Sequence, residues 1–232
     1  LVRYKDTPTN LFGYVRYVVP NTDAAAKNVT RGMLFNQVNG TQLTETNYRT
    51  LLFSENGFSI NLADYNNGNP TVNGSSISLS KSVNQENPVF ITKTFTEGSK
   101  TIGYIMYNSF TASFDGQLNA AFAQLKSENI TDLIIDLRYN GGGSVRTTTY
   151  LASMITGQFT NEVFSSQKWN AKIMKAISNS SSNIDLTNKF PLKIDNGAIT
   201  ETINSLKLSS VNFITTKSSA SASELIINGL IP

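Results

Sequence analysis

The second half of the chain alternates strand-like and helix-like segments, and this constrains the fold more than any other feature. "KTIGYIMYNSF" (100–110) reads as a strand, and "FDGQLNAAFAQLKSEN" (114–129) sets Leu118, Phe122 and Leu125 at helical spacing, with Asp115 near the start. "ITDLIIDLRYNGGG" (130–143) reads as a buried strand running into a glycine loop. "SVRTTTYLASMITG" (144–157) reads as a helix ended by Gly157. Strand, helix, strand and helix at this spacing predict parallel α/β architecture, because parallel neighbours need a crossover. "SSVNFITT" (209–216) adds a strand and "SASELIINGL" (221–230) a helix start. Residues 158–210 between them read as polar and irregular, with "ISNSSSNIDLTNK" (177–189) expected as a mobile insertion.

The first half carries a different pattern. "GYVRYVV" (13–19) alternates like a strand, "PNTDAAAKN" suggests a short helix or turn, and "MLFNQVNG" is a strand entering an Asn39-Gly40 turn. "ETNYRTLLF" places Tyr48, Leu51 and Leu52 on one side of a helix. "FSINLADYN" and "SSISLSKSV" read as two strands joined through "NNGNPTVNG". The expectation is a small β-rich domain over 1–95, with "PVFITKTF" (88–95) as a strand-bearing connector, and an α/β core over 96–232.

Composition narrows the chemistry. The chain has neither His nor Cys, which excludes a Ser-His-Asp triad, a Cys-His dyad and the usual zinc ligand sets within it. A serine nucleophile here would have to pass its proton to a lysine or a carboxylate. A net charge of +3 from 15% charged residues, evenly scattered, gives no nucleic-acid footprint. No apolar run is long enough to span a membrane.

Two motifs remain. "DLRYNGGGS" lacks the Lys-Ser/Thr of a phosphate loop and the glycine spacing of a dinucleotide fingerprint. It reads either as a tight turn needing positive φ or as a loop whose bare amides face a ligand. In "KSSASASELIINGLIP", Ser221 and Glu224 fit a capping box, S-x-x-E. Yet the turn lies between a strand and a helix, where open α/β sheets place their ligands and where helix amides can stabilise an oxyanion. Cap and nucleophile can be neighbouring serines of one turn.

Taken in order, "KTIGYIMYNSF", "DLRYNGGG" and "SSASASELIINGL" resemble the C-terminal processing peptidases (tail-specific proteases), in particular the cell-envelope members of Bacteroidetes. "FGYVRYVVPNTDAAAKNVTRGMLFNQVNG" resembles a PDZ domain, although Met33 stands where an Asp is usual. The resemblance implies an α/β protease core, an open mixed sheet with helices, preceded by a small β-rich PDZ-like domain. It implies Ser221 as nucleophile, the amides of Ala222 and Gly142 as oxyanion donors, and Gly13, Tyr14 and Val15 as the peptide-binding strand and loop. It places the basic lysine beyond Pro232, so the chain is expected to be truncated at its C-terminal side and inactive alone, with Lys217 a poor internal substitute. It further implies a serine endopeptidase acting on peptides or proteins near their C-termini, without metal or other cofactor. The location it implies is the periplasm or cell envelope of a Gram-negative bacterium, and it leaves room for a lipid anchor upstream. The competing readings are a non-catalytic peptide-binding protein on the same scaffold and a hydrolase of a non-peptide acyl substrate.

Overall fold

The computed structural model describes residues 1–180 and 184–231, and the chain divides into two compact units, Leu1–Glu86 and Asn87–Pro232. The first contains β1 (Val2–Arg3), β2 (Leu11–Tyr14), α1 (Asp23–Ala26), β3 (Leu34–Val38), β4 (Thr41–Gln42), α2 (Tyr48–Phe53), β5 (Gly57–Asp64) and β6 (Thr71–Ser80). The sheet order is β1-β2-β3-β5-β6, with β4 paired to β3. Asn39 and Gly40 take φ of 52° and 76°, the tight turn that Asn-Gly favours between β3 and β4. Tyr48, Leu51 and Leu52 of α2 pack with Phe35 and Phe58 around buried Leu11, Val38 and Leu43. The helical spacing in "ETNYRTLLF" therefore does mark the face that packs inward, although its side chains are only partly buried.

Two strand expectations shift here. β2 stops at Tyr14 because its partner β3 begins only at Leu34; Val15 makes the last pairing, through Met33 and Gly32. β6 starts at Thr71, so "TVNG" belongs to the strand rather than to the loop, and Gly74 (φ 86°) lies within it.

The second unit holds β7 (Val89–Glu97), β8 (Lys100–Tyr107), α3 (Asp115–Ser127), β9 (Asp132–Asp136), α4 (Val145–Thr156), β10 (Val163–Ser166), α5 (Ala171–Ser178), β11 (Thr187–Lys189), β12 (Lys193–Asp195), β13 (Thr200–Thr202), β14 (Asn212–Ile214) and α6 (Ala222–Gly229). Its main sheet runs β14-β9-β8-β7, with β8, β9 and β14 parallel and β7 antiparallel. The mixed sheet with helices is thus as expected. "PVFITKTF" is not a connector: β7 pairs with β8 along its whole length, so this stretch belongs to the core sheet, and the first unit ends at Glu86 rather than near residue 95.

α3 and α4 cover the sheet. Leu118, Phe122 and Leu125 are fully buried, and Leu151, Ala152, Met154 and Ile155 join them with Ile105, Leu133 and Ile135. Burying each of the Leu, Ile, Phe and Met side chains among these contributes on the order of 1.5–3 kcal/mol. The described residues of 158–210 are not irregular. They form the antiparallel pairs β10–β11 and β12–β13 and carry α5, and Phe164, Phe190, Ile194 and Ile203 enter the core. Alternation in strands of three or four residues is too short to read from sequence. The expected mobile stretch 177–189 contains 181–183, which lie outside the described residues, and its end forms β11. Among the described residues no helix is long and apolar enough to cross a membrane.

Candidate active site

β9 and β14 are parallel neighbours, and the segments leaving their carboxyl ends meet. From β9 the chain passes through Leu137–Gly143 into α4, which Ser144 caps by accepting from the Thr147 amide at 3.1 Å. From β14 it passes through residues 215–220 into α6, with Ser221 at the N-cap. Two helix N-termini thus open beside one another at the end of the sheet, an arrangement that favours developing negative charge.

The glycine loop is tied on both sides. Phe110, just past β8, donates its amide to Gly142 O (3.0 Å) and accepts from the Ser144 amide (2.8 Å). Gly142 and Gly143 have φ of 105° and 139°. A Cβ on Gly143 would collide with the Phe110 backbone. A Cβ on Gly142 would lie 2.8 Å from Ala220 O, 2.8 Å from Ser221 Cβ and 3.0 Å from the Ala222 nitrogen. The turn reading of "NGGG" therefore holds. Positive φ is required, and the absent side chain brings the loop against the serine turn.

The serines divide by role. Ser219 Oγ donates to Leu137 O at 2.7 Å and accepts from the Thr216 amide at 3.1 Å. Ser223 is fully buried and donates to Asn140 O at 3.0 Å. Ser221 is exposed at the mouth of the turn, with φ 55° and ψ −113°. That backbone region costs a non-glycine residue about 1–3 kcal/mol and persists only where surroundings impose it. Here Glu224 helps impose it: its Oε2 accepts the Ser221 amide at 2.9 Å. Ser221 and Glu224 together close a capping box, so the serine that caps α6 is the same one that sits exposed at positive φ between the strand and the helix.

The structure thus brings together Ser221, Ala222 and Gly142. The Ala222 amide, at the first position of α6, meets no protein acceptor among the described residues. The Gly142 amide differs from expectation: it donates to Asn140 Oδ1 at 2.9 Å. Asn140 was not singled out from the sequence. Its signal was an Asn two residues ahead of a glycine, the pattern of an Asx turn.

Next to the loop, Asp136 is buried at the end of β9. It pairs with Arg138 (2.6 Å) and accepts from Tyr104 Oη (2.7 Å). Burial works against its ionisation, but the hydrogen bonds from Arg138 and Tyr104 outweigh it and hold Asp136 below the ordinary carboxylate range. Thr216 Oγ1 donates to Arg138 O at 2.6 Å, linking this corner to the serine turn. Lys217, on the same turn, is exposed, as is every lysine of the chain.

In the first unit, Gly13 and Tyr14 lie in β2 and Val15 directly follows it. Gly13 is buried, and a Cβ there would run into the Phe35 ring, so packing demands this glycine. β1 pairs with β2 only at Leu11 and Phe12 and does not extend along Tyr14. An apolar groove of about 380 Å³ follows, lined by Val15, Val18, Phe35, Leu52, Phe58 and Leu79 among others.

The profile of peptidase family S41 matches residues 101–230, which takes in the glycine loop and the serine turn. The chain belongs to peptidase family S41. The S41 chain also shares its fold with a crystal structure of a candidate S41 protease from Bacteroides fragilis, at 26% identity and a TM-score of 0.71, over 99% of this chain and 59% of that one. The photosystem II D1 C-terminal processing protease has the same fold at 17% identity and a TM-score of 0.51, over 99% of this chain and 55% of that one. The chain therefore spans less than two thirds of these relatives' length. No curated protein matches it.

Proposed function

We propose that this S41 chain is part of a serine endopeptidase of the Ser/Lys type, acting on peptides or proteins and preferring their C-terminal ends. The observation that carries the reading is the contact of Gly142 with the Ser221–Ala222 peptide, with Ser221 held at positive φ. Ser221 Oγ attacks the scissile carbonyl and its proton passes to a lysine. The tetrahedral oxyanion takes the Ala222 amide and shares the Gly142 amide with Asn140. Collapse expels the amine, which takes the proton back from the lysine, and water then releases the acyl group. A lysine becomes a base when burial disfavours its charged form. Every lysine here is exposed, which supports a base supplied by sequence beyond residue 232.

The open edge along Tyr14 and the groove beside Val15 support a PDZ-like role for the first unit, in which a substrate terminus adds as a strand. The Asn, Ser, Thr and Gly content fits an exported, cell-envelope protein. In the complete protein, Ser221→Ala should abolish peptide hydrolysis, while Ser219→Ala and Ser223→Ala retain much of it. Loss of activity in Ser219→Ala with survival in Ser221→Ala would move the nucleophile. A complete wild-type protein that binds peptides and cleaves none would instead be a peptide-binding scaffold.

A further inference from the structure

We infer that Asn140 is the positioning residue of this site, setting the glycine loop against the serine turn and governing how far the Gly142 amide serves the oxyanion. The inference rests on the peptidase reading and adds a residue that does not itself touch substrate.

Asn140 is fully buried, and each of its polar groups is used. Its side-chain Nδ2 donates to Tyr107 O at the end of β8 (2.9 Å), and its Oδ1 accepts from the Gly142 amide (2.9 Å). Its main-chain N–H donates to Leu137 O (3.0 Å). Its main-chain oxygen accepts from the Ala220 amide (3.3 Å) and from Ser223 Oγ (3.0 Å). One residue thus bonds to the end of β8, the glycine loop and both flanks of Ser221. The geometry is over-determined: moving Asn140 moves Gly142 and Ser221 relative to each other.

The carboxamide is the one side chain of this size that donates to Tyr107 O and accepts from Gly142 N while remaining neutral. A carboxylate would lose the first bond. It would also grip the Gly142 amide more strongly and place a negative charge beside a developing oxyanion. Protonated, however, the same carboxyl again offers one donor and one acceptor.

The test uses the complete protein and a fluorogenic peptide, with turnover expressed per folded molecule. Asn140→Ala should lower kcat by roughly a hundredfold with KM within about threefold, the loss expected when a catalytic group is misplaced by about 1 Å. Asn140→Asp covers the case in which the alanine variant does not fold. Its turnover relative to wild type at the same pH should rise as pH falls, because protonation restores the donor to Tyr107 O. Wild-type kcat in Asn140→Ala, or a ratio for Asn140→Asp that does not change with pH, overturns the inference. Ser221→Ala, run alongside, keeps the two failures apart. If it is inactive while the Asn140 variants behave as wild type, only the positioning role is lost; if it is active, Ser221 is not the nucleophile and the assignment on which the inference rests fails.

Discussion

Ser219, Ser221 and Ser223 share a side-chain chemistry and differ only in what the backbone does with them. Ser219 and Ser223 each make a hydrogen bond that ties the turn to the glycine loop. Replacing either with Ala should cost about 1 kcal/mol of stability, visible as a small drop in melting temperature, with the Ser221 hydroxyl untouched. Gly142→Ala is a harder change, because φ is 105° and the new Cβ would press on Ser221 Cβ and Ala220 O. If the proposed reading holds, it should cut turnover of the complete protein by roughly a hundred- to a thousandfold, as loss of an oxyanion donor does, with little change in KM. Normal turnover in a merely destabilised protein would reduce "NGGG" to a turn. Asp136 tests the neighbouring corner. Its lowered pKa means that its contribution to stability is present above the unfolded carboxylate pKa and is lost as pH falls through the lower folded value. Asp136→Asn should therefore cost about 2 kcal/mol near neutral pH, discounted from the buried-pair range because Arg138 keeps solvent access, and the loss should shrink in acid. Denaturant melts of wild type and variant across pH 2–7, a range of roughly the carboxylate titration, measure this.

At the level of elements, what was legible had length and period. α3 and α4 follow the spacing of Leu118, Phe122 and Leu125 and the stop at Gly157, which takes φ 67° as the C-cap. Phe122→Ala should destabilise the second unit by about 3–5 kcal/mol, read as a shift in its denaturant midpoint, because the ring is fully buried against the sheet. What was not legible depended on partners. Nothing in "GYVRYVV" shows that β3 begins only at Leu34, and that start is what ends β2. The strand pairs within 158–210 have strands of three or four residues and owe their place to Phe164, Phe190, Ile194 and Ile203 entering a core built elsewhere. The site shows the same division. Its three segments could be quoted from the sequence, but the positive φ of Ser221 and the role of Asn140 could not. Serine is not a residue that announces a left-handed backbone, and Asn140 acts through groups up to 83 positions away.

For the whole molecule, a family profile over residues 101–230 and a shared fold give the kind of protein, while the reaction is carried by one proposed atom, Ser221 Oγ. The most direct measurement is to trap the acyl group. The complete protein would be reacted with an activated peptide ester, quenched in acid, digested and mapped by mass spectrometry. The adduct should lie on Ser221, and Ser221→Ala should carry none, while Ser219→Ala and Ser223→Ala remain labelled. An adduct on another residue, or labelling of Ser221→Ala equal to that of wild type, would contradict Ser221 as the nucleophile.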